Sequence, residues 1–317
     1  MPELPDLAVY IHALTAVVTD RRLVDVRLLS PFVLRSVDPP LESVKGRTVR
    51  DVFRVGKRIV LKMTTPPTGP DSSLTPQSAE DDLFLVVHLM IAGRLRWREP
   101  HQKPGLGPKL ILAALDFEHG TLLFTEASSK KRASLQLVRG MAAVEALNPG
   151  GVEPLDVSLT QFREALMREN HTLKRALTDP HLFSGIGNAY SDEILHAARL
   201  SPLRLTSQIT LEESERLFRA ARETLATWME RLRAETGGAF PEKVTAFRDG
   251  MAVHGRFRKP CPVCGSPVQR IRYAKNEVNY CATCQTGGRL LADRSLSRLL
   301  KQDWPRSLEE WEERAGR

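Results

Sequence analysis

The chain of 317 residues lacks any apolar run of about 18 residues, which excludes a transmembrane helix and predicts no membrane partner. Its first ten residues, MPELPDLAVY, have no basic segment followed by an apolar stretch, so they do not form a secretory signal. Glycine and proline, at 20 and 21 residues, are too few for a collagen-like or wholly disordered chain. These absences predict a cytoplasmic protein. The length of 317 residues is enough for about two globular domains.

Cysteine is also scarce, and its four residues all lie between Cys261 and Cys284. The lack of cysteine elsewhere fits a reducing cytoplasm. Cys261 and Cys264 form one CxxC pair, Cys281 and Cys284 form another, and 16 residues separate the pairs. Four thiolates at this spacing can close a tetrahedron around zinc and leave no open coordination position. We therefore predict one structural Zn²⁺ per chain. We do not predict a redox role for either pair, because neither pair lies in a βαβ context.

Charge of one sign is in excess: 46 Lys and Arg stand against 38 Asp and Glu, which gives a net charge of +8. Many soluble proteins carry such an excess, but it favours a polyanionic partner such as nucleic acid. The segment between the two cysteine pairs fits a β-hairpin, and it carries Arg270, Arg272 and Lys275 against one acid, Glu277. This bias predicts a zinc finger that contacts nucleic acid.

The first half of the chain predicts one helix and a set of strands. Apolar residues at helical spacing predict a helix over 7–18, with Asp6 as its N-cap. Short apolar runs broken by turn residues then predict an antiparallel β-sandwich or barrel. The predicted strands are Val49–Met63, Leu83–Leu89, Leu95–Arg98, Lys109–Phe117 and Thr121–Phe124. Between the first two, Thr64–Asp82 is rich in Pro, Ser and Thr and predicts a mobile surface loop.

The pattern becomes helical after the NPGG segment at Asn148–Gly151, which predicts a domain boundary. Amphipathic stretches predict helices at Leu159–Glu169, Leu173–Leu177, 188–198 and Leu211–Leu232. Thr210 and Glu213 predict a capping box at the start of the last helix. The expected fold class is therefore α+β, with an N-terminal helix and antiparallel β-sandwich followed by a helical domain that ends in a zinc-finger β-hairpin.

The N-terminus has two interpretations. Methionine is usually removed before a small residue, so the mature chain is expected to begin with Pro2, whose secondary amine is a good nucleophile toward an aldehyde carbon. Glu3 beside it can act as an acid or a base. The alternative is that PELP only starts a helix, with proline near the first helical position. These residues alone favour the helix start.

Four segments, taken together and in this order, resemble the Fpg/Nei family of DNA glycosylases. They are the start MPELPD, the run Arg54–Leu61 with Lys57, the helix–two-turn–helix stretch Leu173–Glu193, and the zinc finger His254–Gln285. The resemblance implies a catalytic β-sandwich domain over 1–148, a helix–two-turn–helix DNA-binding domain over 152–250, a zinc finger over 251–288 and a C-terminal helical extension over 289–317. The whole combination is specific, although each segment alone is not.

The resemblance also implies a function. The chain would be a monomeric base-excision repair enzyme, a DNA glycosylase with AP lyase activity, which removes oxidised bases from double-stranded or partly single-stranded damaged DNA. It would act at the bacterial nucleoid, within the cytoplasm. Pro2 would attack C1′ of the damaged nucleotide and form an iminium ion, and Glu3 would protonate the opened sugar. The strand would then break by β- and δ-elimination without a further cofactor.

Other residues receive roles from the same resemblance. Lys57 would contact a phosphate or donate a proton in the catalytic pocket, and Asn188 would bind a phosphate beside the lesion. The DNA contacts implied in all are Lys174, Asn188, His88, Arg132, Arg256 and Arg272. Without the neighbouring motifs, Lys57 would be interpreted as a solvated strand lysine and Asn188 as a helix N-cap.

The sequence departs from the family pattern at several places. Ile91 stands where the family has a methionine that fills the gap left by a flipped base, and Thr125–Arg132 has no aromatic residue where the family has Arg and Phe. Asn276 replaces an arginine of the zinc hairpin, and the chain continues through Gln285–Arg317, where Arg289–Lys301 has a helical pattern. The alternative function is that of a non-catalytic binder of damaged or branched DNA that retains the fold. A zinc-ribbon module joined to an unrelated domain is disfavoured by the helix–two-turn–helix match.

Overall fold

The computed structural model describes residues 1–65, 81–242, 244, 245, 247–273, 276–291, 306, 307 and 310. The helices in these residues are α1 Leu4–Val18, α2 Gly140–Glu145, α3 Leu159–Met167, α4 Leu173–Thr178, α5 Asn188–Ala197, α6 Leu211–Thr236 and α7 Ala282–Thr286. The strands are β1 Leu23–Leu28, β2 Thr48–Val55, β3 Arg58–Thr64, β4 Leu83–His88, β5 Gly93–Arg98, β6 Ile111–Phe117, β7 Gly120–Glu126, β8 Ser134–Arg139, β9 Gln269–Tyr273 and β10 Asn276–Tyr280. No described helix is both long enough and apolar enough to cross a membrane.

The chain forms two compact units. The first comprises Met1–Pro149 and Met229–Thr245, and the second comprises Gly150–Trp228 and Ala246–Arg317. Met229–Thr245 contributes to the first unit, although the sequence analysis placed it in the second domain. The physical reason lies in its side chains: the ring of Phe240 lies 6.1 Å from that of Tyr10, and Glu242 forms ion pairs with Arg96 and Arg98.

The first unit contains two antiparallel four-stranded sheets. One has the strand order β2-β3-β4-β8 and the other β1-β6-β7-β5. A single hydrophobic core takes side chains from both sheets and from α1, among them Leu14, Leu61, Leu115 and Phe124. The predicted β-sandwich is confirmed, and the structure adds β1 and β8, which the sequence analysis missed.

The near-continuous apolar run of β3 reflects burial on both faces of its sheet. Ile59 and Leu61 point into the main core, whereas Val60 packs with Phe84 and with Val144 of α2 on the opposite face. Helix α2 and the residues after it therefore cover the outer face of the central strands. This double burial fixes the position of the β2–β3 turn that precedes β3.

Helix α1 begins earlier than the sequence predicted, at Leu4, and its N-cap is Glu3. Asp6 is the third helical residue and not the N-cap, because its carboxylate accepts the Glu3 N–H at 2.9 Å from inside the first turn. Pro5, in the first turn, needs no backbone N–H donor there. The start of the chain is therefore held rigidly against the sandwich by the buried face of the helix.

The second unit is built from helices and a β-hairpin. The capping box of α6 is confirmed, since Thr210 and Glu213 exchange side-chain-to-backbone hydrogen bonds of 2.9 and 3.2 Å. Strands β9 and β10 form the predicted hairpin between the cysteine pairs. The predicted loop at Thr64–Asp82 and the predicted helix at Arg289–Lys301 lie mostly outside the described residues.

Candidate active site and metal centre

Strand pairing brings His88, in β4, to the same end of the sandwich as the start of β5 and the end of β7. His88, the last residue of β4, pairs with Arg58 on one side and with Ser134 on the other. Gly93, the first residue of β5, pairs with Glu126 at the end of β7. Because only four residues join β4 to β5, these strand ends lie at the same end of the sandwich, which we call the catalytic end.

The chain start belongs to this end. Pro2 and Glu3 are buried, and burial lowers the pKa of the Met1 amino group. Glu3 raises that pKa and the cations Arg94 and Lys57 lower it, so these three groups lie within electrostatic range of the N-terminus. A lowered pKa leaves more of an amine neutral, and only the neutral amine is nucleophilic.

Lys57 lies in the tight turn that joins β2 to β3. The pairing of Val55 with Arg58 leaves Gly56 and Lys57 as a two-residue turn, and Gly56 takes a φ of +57° that favours glycine. Burial lowers the pKa of Lys57, and the Glu3 carboxylate opposes that shift. An ammonium group in this setting releases its proton more readily than an exposed lysine does.

His88, also at the catalytic end, has a strongly lowered pKa. Burial lowers its pKa to about 4, and the positive charges of Arg58 and Lys57 add to the effect. At neutral pH the ring is therefore uncharged, with one nitrogen as donor and one as acceptor. His88 can accept or donate a hydrogen bond there but does not supply a positive charge.

His88→Gln is expected to remove a pH-dependent loss of stability. The folded-state pKa of about 4 lies below the ordinary value of 6.5, so the unfolded chain binds the proton more tightly. The wild type should therefore lose stability relative to the variant as the pH falls from 6.5 towards 4. Urea unfolding at about pH 7.5 and about pH 5 measures this difference.

The matched control is His12→Gln, at an exposed position on α1. Its stability difference from the wild type gives the background for removing an exposed imidazole at each pH. Equal differences for His88→Gln at both pH values would contradict the assignment of a buried, neutral His88.

A buried carboxylate, that of Glu126, binds the backbone of the segment between β7 and β8. Glu126 is 1% exposed, and its carboxylate accepts the backbone N–H groups of Arg132 at 2.9 Å and Ala133 at 3.2 Å. The Lys131 ammonium donates to the Glu126 carbonyl oxygen. These hydrogen bonds hold the backbone of the segment, and the side chain of Arg132 is exposed at the catalytic end. Ile91, in the β4–β5 turn, is exposed at the same end.

Lys174 does not fit its predicted contact with a phosphate. The residue is 7% exposed, and its ammonium donates to the Asn188 carbonyl oxygen at 2.7 Å, to Ser191 Oγ at 2.8 Å and to Asp192 Oδ1 at 2.5 Å. An ammonium group has three protons, and these acceptors use all of them. Lys174 therefore ties α4 to the first turns of α5, and the sequence analysis missed this role.

A polar stripe on α5 faces the zinc finger. Asn188, Asp192 and His196 recur every four residues and so lie on one face of the helix. Asn188 Nδ2 donates to the backbone carbonyl oxygen of Glu277 at 3.0 Å. Asp192 Oδ2 lies 2.8 Å from His254 Nδ1 and accepts the backbone N–H of Asn279 at 3.1 Å. His196 Nε2 lies 3.2 Å from Cys261 Sγ. The stripe fixes the hairpin relative to the start of α5. The four-residue spacing of these polar residues was a signal that the sequence analysis did not use.

Glu193, the neighbour of Asp192, was also missed. Its buried carboxylate accepts the consecutive backbone N–H groups of Ala252, Val253 and His254 at 2.6, 2.9 and 2.9 Å. Burial raises the pKa of Glu193, while the three N–H groups favour its charged form. Glu193 therefore anchors the segment that leads into the zinc finger.

The four cysteine sulfur atoms fit a tetrahedral metal site. They all lie within 4.8 Å of one another, with Cys261 to Cys284 at 3.9 Å and Cys264 to Cys281 at 3.4 Å. Zinc bound by four thiolates requires sulfur–sulfur distances of about 3.8 Å. The donor set and its spacing therefore suit a structural zinc ion.

The arginines of the finger differ in their surroundings. Arg272 is exposed on β9, whereas Arg270 stacks on Phe257 at 4.1 Å and lies 3.6 Å from the Glu277 carboxylate. Arg256 donates to the Pro260 carbonyl oxygen at 2.9 Å. Of these three side chains, Arg272 is the most available to an outside anion. Lys275 and the side chain of Asn276 lie outside the described residues.

Comparison with known proteins decides the family. Three family models match in chain order: the formamidopyrimidine-DNA glycosylase N-terminal domain over residues 1–131, its H2TH domain over 151–237, and the zinc finger found in FPG and IleRS over 258–287. The formamidopyrimidine-DNA glycosylase of Thermus thermophilus is 31% identical over 299 residues, covering 91% of this chain and 100% of that protein. The chain belongs to the formamidopyrimidine-DNA glycosylase family.

Further relatives agree with this assignment. An uncharacterized formamidopyrimidine-DNA glycosylase-like protein of Mycobacterium tuberculosis is 39% identical over 151 residues, 48% of this chain and 94% of that protein. The Lactococcus lactis enzyme in complex with Fapy-dG-containing DNA is 21% identical and has a TM-score of 0.75, covering 90% of this chain and 100% of that one. The same enzyme bound to DNA with an AP site has a TM-score of 0.73. The family and the fold class predicted from the sequence are thus confirmed.

Proposed function

We propose that this member of the formamidopyrimidine-DNA glycosylase family is a base-excision repair glycosylase with AP lyase activity. The observation that carries the proposal is the burial of Pro2 and Glu3 at the start of α1, within electrostatic range of Lys57. Burial lowers the pKa of the Met1 amino group, so the same surroundings would favour a neutral, nucleophilic Pro2 amine once Met1 is removed. Family membership supports the same chemistry.

The reaction follows from the properties of a secondary amine. The Pro2 nitrogen attacks C1′ of a nucleotide that has left the base stack, and the bond from C1′ to the base breaks. The base leaves with the electron pair and takes up the proton that the Pro2 nitrogen gives up. Glu3 gives a proton to the ring oxygen as the sugar opens, which leaves an iminium ion between nitrogen and C1′. The iminium acidifies the C2′ proton, whose removal expels the 3′ phosphate. A second elimination expels the 5′ phosphate, and water then hydrolyses the iminium.

The remaining site residues support binding and proton transfer. Lys57, with its lowered pKa, is proposed to contact a phosphate or donate a proton, and neutral His88 to hydrogen-bond the backbone of the lesion strand. Asn188 and the arginines Arg132, Arg256 and Arg272 are proposed as further DNA contacts. One zinc ion held by Cys261, Cys264, Cys281 and Cys284 would stabilise the hairpin that presents Arg272. The protein is proposed to act as a monomer in the cytoplasm.

Covalent trapping tests the proposal. Sodium borohydride reduces the iminium to a stable amine, so incubation with abasic duplex DNA should give a protein–DNA adduct that survives denaturing electrophoresis. Mass spectrometry should place the adduct on the N-terminal peptide that begins with Pro2. A non-catalytic binder of damaged DNA, the second candidate, would shift the DNA on a native gel and give no adduct.

Substrate choice is expected to favour DNA that is already destabilised. Flipping a base costs a few kcal/mol, and the cost is lower at damaged or unpaired positions. Ile91 is 64% exposed and offers an apolar contact, but Lys130, Lys131 and Arg132 cannot stack in the opened gap as an aromatic ring does. We expect weak discrimination of the opposite base, and faster action on abasic sites, bubbles or single strands than on 8-oxoguanine paired with cytosine.

Single-turnover rates on these substrates, measured in one buffer, check this expectation. The reference pair is 8-oxoguanine opposite cytosine and opposite adenine. If the cytosine pair is cut fastest, and much faster than the adenine pair, another part of the protein compensates for the loop and the expected preference is wrong.

A further inference from the structure

Phe32 is 79% exposed, although a phenylalanine ring gains free energy from burial. It lies in a short 3-10 helix, Pro31–Val33, whose next residue, Val33, is buried in the core. The backbone on both sides is anchored: the Ser30 N–H donates to the Leu112 carbonyl oxygen at 2.9 Å, and the Arg35 N–H donates to the Leu135 carbonyl oxygen at 2.8 Å. The ring is therefore held outward by a fixed segment.

The two anchors place this segment at the catalytic end. Leu112 follows Ile111, which pairs with Thr125 near the end of β7. Leu135 pairs with Val87, the neighbour of His88. Residues 30–35 therefore run from the start of β6 to the start of β8, across the end of the sandwich that carries His88 and Glu126.

The neighbourhood of Phe32 suits a polyanion with apolar bases. Arg35 is exposed beside it, and Lys130 and Arg132 are exposed in the segment that leads into β8. Ile91, also exposed at this end, is apolar but has no π face. Aromatic rings stack on nucleobases whatever the base, and apolar side chains inserted between base steps offset the cost of unstacking.

We propose that Phe32 stacks on a nucleobase of the bound DNA at the gap left by the flipped nucleotide, with Arg35 contacting the adjoining phosphate. This assignment rests on the proposed repair function, because it requires an opened duplex at the catalytic end. Phe32 would then contribute a stacking surface that the segment between β7 and β8 lacks. Because an aromatic ring stacks on any base, this contact would add affinity for a lesion in duplex DNA and still leave the opposite base weakly discriminated.

The probe is a duplex that carries a tetrahydrofuran abasic analogue, which cannot be cleaved by the lyase reaction, opposite 2-aminopurine. Phe32→Ala should raise the Kd for this duplex about 10-fold and should change the 2-aminopurine fluorescence seen on binding to the wild type. Phe32→Trp should restore both. Val37→Ala, which removes another highly exposed apolar side chain, is the matched control and should change neither. All three variants should keep the thermal midpoint of the wild type, because both side chains are exposed.

An unchanged Kd and fluorescence in Phe32→Ala would overturn the assignment, as would an equal loss in Phe32→Ala and Val37→Ala. Either result leaves the repair function standing if the wild type binds the duplex and gives the borohydride adduct on abasic DNA. A wild type that neither binds nor gives an adduct would overturn the proposed function together with the stacking contact.

Discussion

A chain that retains Met1 is expected to give no borohydride adduct with abasic DNA. Retention converts the Pro2 nitrogen into a tertiary amide, whose lone pair is delocalised and cannot form an iminium ion. Pro2→Gly keeps a terminal amine but replaces the secondary amine by a primary one, and it should slow single-turnover base release strongly. Because retention of Met1 removes the nucleophile, it should cost about 10³-fold or more in rate. Adduct yield on denaturing gels and quenched single-turnover kinetics measure the two effects.

Pro5→Ala is the matched control, because it alters the first turn of α1 without touching the terminal amine. It should trap at nearly the wild-type rate, with the processed N-terminus verified by mass spectrometry. An adduct that forms equally fast with Met1 retained would show that another amine is the nucleophile. Lys57 and the Met1 amino group would then be the candidates, since burial lowers the pKa of both, and mass spectrometry of the adduct would distinguish them.

Cys264→Ser is expected to abolish zinc binding and to weaken DNA binding by about 100-fold, the equivalent of about two charge-assisted contacts. The core around the cysteines is small, with Val253 and Val268 as its main apolar members, so metal binding must supply much of the folding free energy of the finger. Without the ion, the cysteine turns no longer hold the β9–β10 hairpin, and Arg272 therefore loses its fixed position. Elemental analysis and DNA titration measure both losses, and base release at saturating DNA should fall far less than affinity.

Thr283→Ala changes an exposed residue inside the second CxxC pair and leaves all four sulfur ligands in place, so it should keep zinc and affinity. Wild-type protein purified without chelator should contain one zinc ion per chain. Protein that contains no zinc, or a Cys264→Ser variant with full affinity, would contradict a structural zinc site.

The parts of the candidate site that could be predicted are those in which neighbouring residues of the sequence act together. The four cysteines carry their own ligand spacing, and the structure brings their sulfur atoms together. The buried pair Pro2 and Glu3 stands at the first turn of a helix, which apolar periodicity predicted a few residues short. Strand β8 alternates buried and partly buried positions and could have been found from the same kind of pattern, whereas the irregular burial of β1 gave a weaker signal.

The sequence by itself determined the family resemblance and the α+β class, because each segment that carries them is a local pattern, and it placed the four cysteines at a spacing that suits zinc. Only the tertiary structure decided what each charged or apolar side chain faces. Lys174 has the sequence context of a phosphate ligand, yet its three protons are used by acceptors on α5. Phe32 is an apolar residue of the kind usually found in a core, yet backbone hydrogen bonds from its segment to β6 and β8 hold its ring in solvent. Such partners lie far away along the chain, so no local pattern specifies them, and burial and pKa follow from the packed fold alone.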